Sequence, residues 1–338
     1  MNSKKLFVHF MLTSLALLVV SSTLISFRYN LPYPAKLGPE FDAVLKYDDM
    51  VAIENTHPEI VMIGDSVLEE GVDEKILSEE LGVTVQRSPI PGSGTAAWYL
   101  FMKNIVYGAD YHPKYVVVLF RNTILTVPHY RTGGKYFYLL DDYARKEEPL
   151  IAELVFINQM TPFEKFAEQY IPAYTARVDI REDLDNALRY PIPALAGCDR
   201  DCTDNAVGSI FGREVDPIAL NLAQEDAAKV LYDPKEFDFD RQVDTSLLPH
   251  MIRLAQQNGS VLIFVRTRIF GPEPAALARY TQDLNEYLAQ QEHVLLLDYE
   301  NDPRILQSFY LDSLHNNPYG KREFTKILAE DIKTILAK

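Results

Sequence analysis

The sequence predicts an α/β protein whose core is a three-layer α/β/α domain built on a parallel five-stranded sheet of flavodoxin-like type. A transmembrane helix stands at its N-terminus and a large helical insertion interrupts it. Three observations carry this expectation. Short apolar runs rich in β-branched residues, at 60–63, 115–120 and 261–265, have the pattern of strands buried on both faces. Stretches with apolar residues at i, i+3, i+4 and i+7 separate several of these runs, and strand–helix alternation with short connections implies right-handed crossovers. Ahead of them, residues 6–27 form one apolar run with a single ionisable side chain, His9.

Taken in order, that first run follows Lys4 and Lys5 and precedes Arg28. At about 1.5 Å per residue it spans a hydrocarbon layer of ~30 Å. The two lysines mark the cytoplasmic end, so the main domain is expected outside the cytoplasm, periplasmic or extracellular, on a single-pass cell-membrane anchor at 1–28. Small residues at Val20, Ser21 and Ser22 keep a cleaved signal peptide open as the alternative; the length of the run favours an uncleaved anchor. Residues 29–57 read as a linker, with a stalk of three prolines over 29–39 and a short helix over 40–47.

The α/β domain is expected over 58–122 and 245–338. The strand at 60–63 stops at Gly64, a helix over 74–81 ends at Gly82, and 83–87 is a second strand. The turn 88–94 opens a helix marked by Trp98, Phe101, Met102 and Ile105 and closed by Gly108; the strand 115–120 follows. From Thr123 the pattern breaks, and 123–244 holds no strong strand run, so it is assigned to an inserted cap. Alternation resumes with a helix over 245–257, the strand 261–265, a helix over 273–291, a strand at 294–297 and a last helix from Pro318.

The formal net charge of −15 excludes nucleic acid as a partner class, because a polyanion is held by a basic surface that releases counterions. Cys198 and Cys202 are the only cysteines, too few for a structural zinc site and close enough for a small-loop disulfide in an oxidising compartment. The acidic run 233–244 lacks the glycine and closing glutamate of a calcium loop and reads as solvated surface. No motif calls for a metal or other cofactor. Tyr130, Tyr136, Phe137, Tyr138 and Tyr143 crowd the insertion, where packing within the cap competes with stacking on sugar rings.

The chemistry is expected at the carboxyl ends of the strands, where open α/β sheets bind ligands. Gly64-Asp65-Ser66 delivers a serine there. A serine nucleophile needs a base. Of the seven histidines, His315 in Asp312-Ser-Leu-His315 has an acid three residues before it and follows the last strand. That spacing lets Asp312 hold one ring nitrogen while the other faces Ser66. Gly92 and Gly94, in the turn after the second strand, and Asn122, after the third, offer donors to an oxyanion. For each of these three, turn formation or capping is the competing role.

Gly64-Asp65-Ser66, a glycine after the second strand, Asn122 after the third, and Asp312-x-x-His315 near the C-terminus resemble, in order, the blocks of the SGNH (GDSL-type) hydrolase superfamily. The resemblance implies Ser66 as nucleophile, His315 as base and Asp312 as its orienting partner. It further implies an oxyanion hole from the Ser66 N–H, the Gly92 or Gly94 N–H and the Asn122 amide. The chain departs from the family at its third block, with Phe120-Arg-Asn122-Thr123 in place of Gly-x-Asn-Asp. Anchor and domain together resemble membrane-anchored SGNH-like proteins of bacterial cell-surface O-acylation, which implies an acylated donor, a surface polysaccharide acceptor and a membrane-bound O-acyltransferase partner. Three functions follow as expectations: a serine esterase or O-acyltransferase on surface glycans, a hydrolase of small or lipid esters, and a catalytically silent glycan- or partner-binding domain.

Overall fold

A computed structural model describes residues 3–211, 237–270 and 275–337 of the chain. It divides into two compact units, Met1–Pro39 with Phe156–Gln224, and Glu40–Val155 with Glu225–Lys338.

In the first unit, helix α1 (Ser3–Arg28) contains a span, Lys5–Arg28, long and apolar enough to cross a membrane. None of its most apolar stretch is buried by protein. The segment after it folds back onto its own unit. Arg28 and the Tyr29 hydroxyl both reach Asp183 Oδ2, at 3.2 and 2.8 Å, and the Ala35 N–H donates to the Gln169 carbonyl. The helix Pro162–Tyr170 starts on a Thr161–Glu164 capping box that satisfies two otherwise unpaired backbone N–H groups. Cys198 and Cys202 are joined by a disulfide, with Cα atoms 5.2 Å apart.

The second unit holds the sheet. Strands β1 (Ile60–Gly64), β2 (Val85–Pro89), β3 (Tyr115–Phe120), β4 (Val261–Arg266) and β5 (Val294–Asp298) pair in the order β2-β1-β3-β4-β5, every pair parallel. Every residue of β1 and β3 is buried, which requires cover on both faces of the sheet. Alternate residues Ile60, Met62, Val117, Leu119, Ile263 and Val265 share a core with Leu68, Leu77, Phe324, Leu328 and Ile332. Those five come from α3 (Ser66–Gly71), α4 (Glu74–Leu81) and the last helix, Pro318–Leu336. Each such side chain contributes about 1.5–3 kcal/mol when fully buried. The intervening residues, among them Ile63, Val118 and Phe264, point to the other face and are equally buried. β5 closes one edge, and Leu295 there is partly exposed.

Local chemistry sets the boundaries. Asp73 caps α4 by accepting from the Ile76 N–H, and Gly82 ends it in the left-handed region at φ 69°, where glycine carries no Cβ penalty. The expected helix over 40–47 does not form: these residues have no regular structure, and the helix is α2 (Asp48–Thr56). Phe41 is buried and stacks on Phe137, Ala43 sits at φ 58°, and Asp48 and Asp49 supply the acids that favour a helix start one turn later. Residues 245–247 are likewise not helical, and the helix there is Leu248–Gln257.

The stretch 123–244 is shared between the two units. Residues 123–155 belong to the sheet-bearing unit and bury Ile124, Leu125, Val127, Tyr130, Leu139 and Leu140. Of the crowded aromatics, Tyr130 and Tyr143 are buried and Tyr138 is exposed. In the acidic run, Asp238, Asp240 and Asp244 are exposed while Phe239 and Val243 are buried; residues 233–236 lie outside the described residues, as do the first two of the helix expected over 273–291.

Candidate active site

β1 ends where chain crowding leaves room only for glycine. A Cβ on Gly64 would come within 2.9 Å of Leu68 Cβ and 3.3 Å of the Leu119 carbonyl oxygen. Beyond it, the Asp65 side chain accepts from the Val67 N–H at 2.9 Å and caps α3, whose first residue is Ser66. The Ser66 N–H therefore lies in a first helical turn, where backbone donors lack intrahelical acceptors.

The other carboxylate oxygen of Asp65 meets Arg121 Nη2 at 3.3 Å, and the same guanidinium nitrogen donates to the Tyr130 hydroxyl at 3.4 Å. All three residues are buried. Nothing in the sequence pointed to this cluster, because its members are far apart in the chain and Arg121 reads as the end of a strand.

His315 is delivered by the loop before the last helix. The Leu311 N–H donates to the His315 carbonyl, Tyr310 and Asn316 form an antiparallel bridge, and Asn317 caps the following helix by accepting from the Tyr319 and Gly320 N–H groups. The end of β4 ties this loop down, since the Phe270 N–H donates to the Ser313 carbonyl and the Tyr310 hydroxyl to the Arg268 carbonyl.

Within the loop, Asp312 Oδ1 accepts from the Leu314 and His315 N–H groups, both at 2.7 Å, and Oδ2 lies 2.8 Å from His315 Nδ1. His315 Nε2 lies 2.9 Å from Ser66 Oγ. A carboxylate only accepts, so the proton of the neutral imidazole belongs on Nδ1 and Nε2 is left to accept from the serine hydroxyl. Burial pushes the Asp312 carboxyl up, but the hydrogen bonds from the His315 ring, its N–H and the Leu314 N–H outweigh it and hold the group below its ordinary range. Ser66, His315 and Asp312 thus form one continuous relay, able to draw a proton from the serine oxygen onto an imidazole whose positive charge a carboxylate stabilises.

The other candidate residues stand at the same sheet edge, on the strands flanking β1. Gly92 turns after β2 at φ 78°, and Gly94 begins the helix Thr95–Phe101, packed so closely that a Cβ would meet Tyr130 at 3.0 Å. Asn122 follows β3, buried and left-handed at φ 47°, and its Oδ1 has no partner among the described residues. None of the three is hydrogen-bonded to the Ser66–His315–Asp312 relay. Among the described residues no group of three or more His, Cys, Asp and Glu side chains is arranged to hold a metal ion. Set against protein-family models, curated proteins and solved structures, the chain finds no match.

Proposed function

We propose that the chain is a membrane-anchored serine acyltransferase or esterase of SGNH type, acting outside the cytoplasm on O-acyl groups of cell-surface polysaccharide. The observation that carries this is the unbroken relay from Ser66 Oγ through His315 to Asp312 at the carboxyl end of a parallel strand. In the proposed reaction Ser66 Oγ attacks the ester carbonyl while its proton passes to His315 Nε2. The imidazolium, steadied by Asp312, returns that proton to the departing alcohol, leaving an acyl-serine. A second hydroxyl, from water or from a sugar, then gives its proton to His315 and takes the acyl group, and His315 passes that proton back to the departing Ser66 Oγ. Developing negative charge on the carbonyl oxygen would fall to the N–H groups of Ser66 and of Gly92 or Gly94 and to the Asn122 amide.

The compartment and the substrate class rest on different support. Helix α1 is long and apolar enough to anchor the chain, and the Cys198–Cys202 disulfide suits an oxidising compartment. Glycan as acceptor, a membrane-bound O-acyltransferase as partner, and the SGNH character of the fold rest on the ordered sequence blocks. The strand order 2-1-3-4-5 puts Ser66 beside a switch point of the sheet, as a ligand site of such a domain requires.

The test uses the full chain in detergent. Ester turnover and covalent labelling by a fluorophosphonate should both occur and both vanish in Ser66→Ala, with the fold retained by circular dichroism. Turnover that survives in Ser66→Ala, or a wild-type serine that resists the fluorophosphonate, would overturn the reading. Adding an activated acyl ester with and without polysaccharide then separates transfer from hydrolysis by whether acylated glycan accumulates.

A further inference from the structure

The sheet-bearing unit contains one arginine placed unlike its neighbours. Arg121 pairs with Asp65, Arg266 lies against Asp298 and Glu300, and Arg87 donates to the carbonyls of Leu68, Glu69 and Val72. Partly buried Arg131 has no such acceptor among the described residues. Its guanidinium carbon lies 5.2 Å from the ring centre of Tyr130 and 5.0 Å from that of Tyr136, and its Nε is buried without a partner. A partly buried guanidinium with no hydrogen-bond acceptor among the described residues is the exception that asks for a reason, since even Arg87, which has no ion pair, is taken up by carbonyls.

Its position supplies one. Arg131 Nη1 lies over the turn after β2, 3.4 Å from where a Cβ on Gly92 would stand. That turn runs beside the serine loop: Gly64 pairs with Pro89, and the Ile90 N–H donates to the Gly64 carbonyl at 2.8 Å. From Ser66 the contacts continue through Asp65 and Arg121 to Tyr130, the residue on which Arg131 is stacked. Both rings lie within cation–π reach of the guanidinium, and no acceptor among the described residues takes its terminal N–H groups, which leaves those for a ligand.

We propose that Arg131 is a specificity-determining residue that binds an anionic group of the substrate, a carboxylate or phosphate on the sugar next to the reacting hydroxyl. This deepens the acyl-transfer reading and rests on it for the word substrate. Gly92 leaves that anion room as well as turning the chain. Tyr130 and Tyr136 orient the guanidinium, and Arg121, already neutralised by Asp65, does not compete for the ligand.

The test measures binding in the Ser66→Ala full chain in detergent by titration calorimetry. The probes are a glucuronic acid oligosaccharide, its carboxyl-reduced neutral counterpart, and glucose 6-phosphate against glucose. At least one anionic probe should bind about 10- to 100-fold more tightly than its neutral match, the range expected of charge-assisted hydrogen bonds. Whichever pair shows the larger ratio identifies the source of the anion. Arg131→Gln should bring the ratio to about one, and Arg131→Lys, which keeps the charge but not the planar fork, should keep part of it.

Equal affinity for charged and neutral probes, or a ratio unchanged in Arg131→Gln, would overturn the proposal. Phenylglyoxal modification of the chain with Arg131 intact, read by peptide mass spectrometry, tests the same contact without a substitution there. Protection of Arg131 by the preferred anion supports the proposal, and modification unaffected by it counts against it. Binding is read without the serine hydroxyl, so a failure of the acyl-transfer reading and a failure of this one give different results.

Discussion

Two carboxylates reach the Ser66 region by opposite routes. The Asp65 side chain is 5% exposed, and its ion-pair partner, Arg121, is held at the end of the neighbouring strand β3. The Asp312 side chain is 40% exposed, and its partner is a histidine three residues further along the same loop. The first pair clamps one strand end to another and holds the Ser66 loop; the second holds only a ring. The difference separates what makes the site exist from what makes it reactive. A change at Asp65 should register in stability and a change at Asp312 in rate.

The largest expected effect lies on the reactive side. His315→Gln and Asp312→Asn should each lower ester turnover roughly 10⁴-fold, the first by removing the base and the second by removing the acceptor that fixes its tautomer. Melting temperature should barely move, because both side chains sit on a loop anchored by backbone hydrogen bonds. Steady-state kinetics beside thermal unfolding checks both halves. A large drop in melting temperature with either variant would break the contrast with Asp65.

Next in size is the buried pair. Asp65→Asn keeps an oxygen to cap Val67 but removes the carboxylate that pairs with buried Arg121, and removing one partner of a buried pair costs about 3–5 kcal/mol. Denaturant unfolding of the full chain should show a loss of that order. Unchanged stability would mean that Arg121 turns out to water, and the clamp would then be dispensable.

How legible these features were in the sequence follows from how local their causes are. The strands were readable because a parallel strand covered on both faces has to be apolar at every position, as 115–120 is. Helix α4 was readable because Asp73 and Gly82 mark its ends. The helix over 40–47 was misread because its residues are spent on Phe41 packing against Phe137, a contact no window of eight residues contains. The same holds within the site. Asp312 and His315 announce themselves by a spacing of three, whereas Asp65, Arg121 and Tyr130 meet only through the pairing of β1 with β3. Arg131 carries no signal at all until Tyr130, Tyr136 and Gly92 are seen around it.

A smaller effect is expected at Asn122, which is buried like Asp65 and follows β3, the strand paired with the one that delivers Ser66. Asn122→Gly removes the amide while keeping the left-handed backbone accessible, and it should cost roughly 100-fold in turnover through a lost oxyanion donor. Asn122→Ala should match it in rate and lose further stability, since alanine is strained at φ 47°. Full activity in Asn122→Gly would leave the oxyanion to backbone N–H groups alone.

The smallest effect is a dependence on pH, and its sign follows from Asp312. The hydrogen bonds from His315 and Leu314 hold its carboxyl below the ordinary value of 3.8 in the folded chain. A carboxyl depressed by folding stabilises the folded state fully above that ordinary value, and the contribution disappears as pH falls through the lower folded value. The stability difference between wild type and Asp312→Asn should therefore be flat from neutral pH down to about 4 and shrink below it, by an amount kept small by the exposure of the loop. Paired unfolding curves between pH 3 and 7 test this directly. A wild-type advantage over Asp312→Asn that grows as the solution becomes more acidic would mean that the folded loop favours the protonated carboxyl, and Asp312 would then be the wrong group to steady an imidazolium.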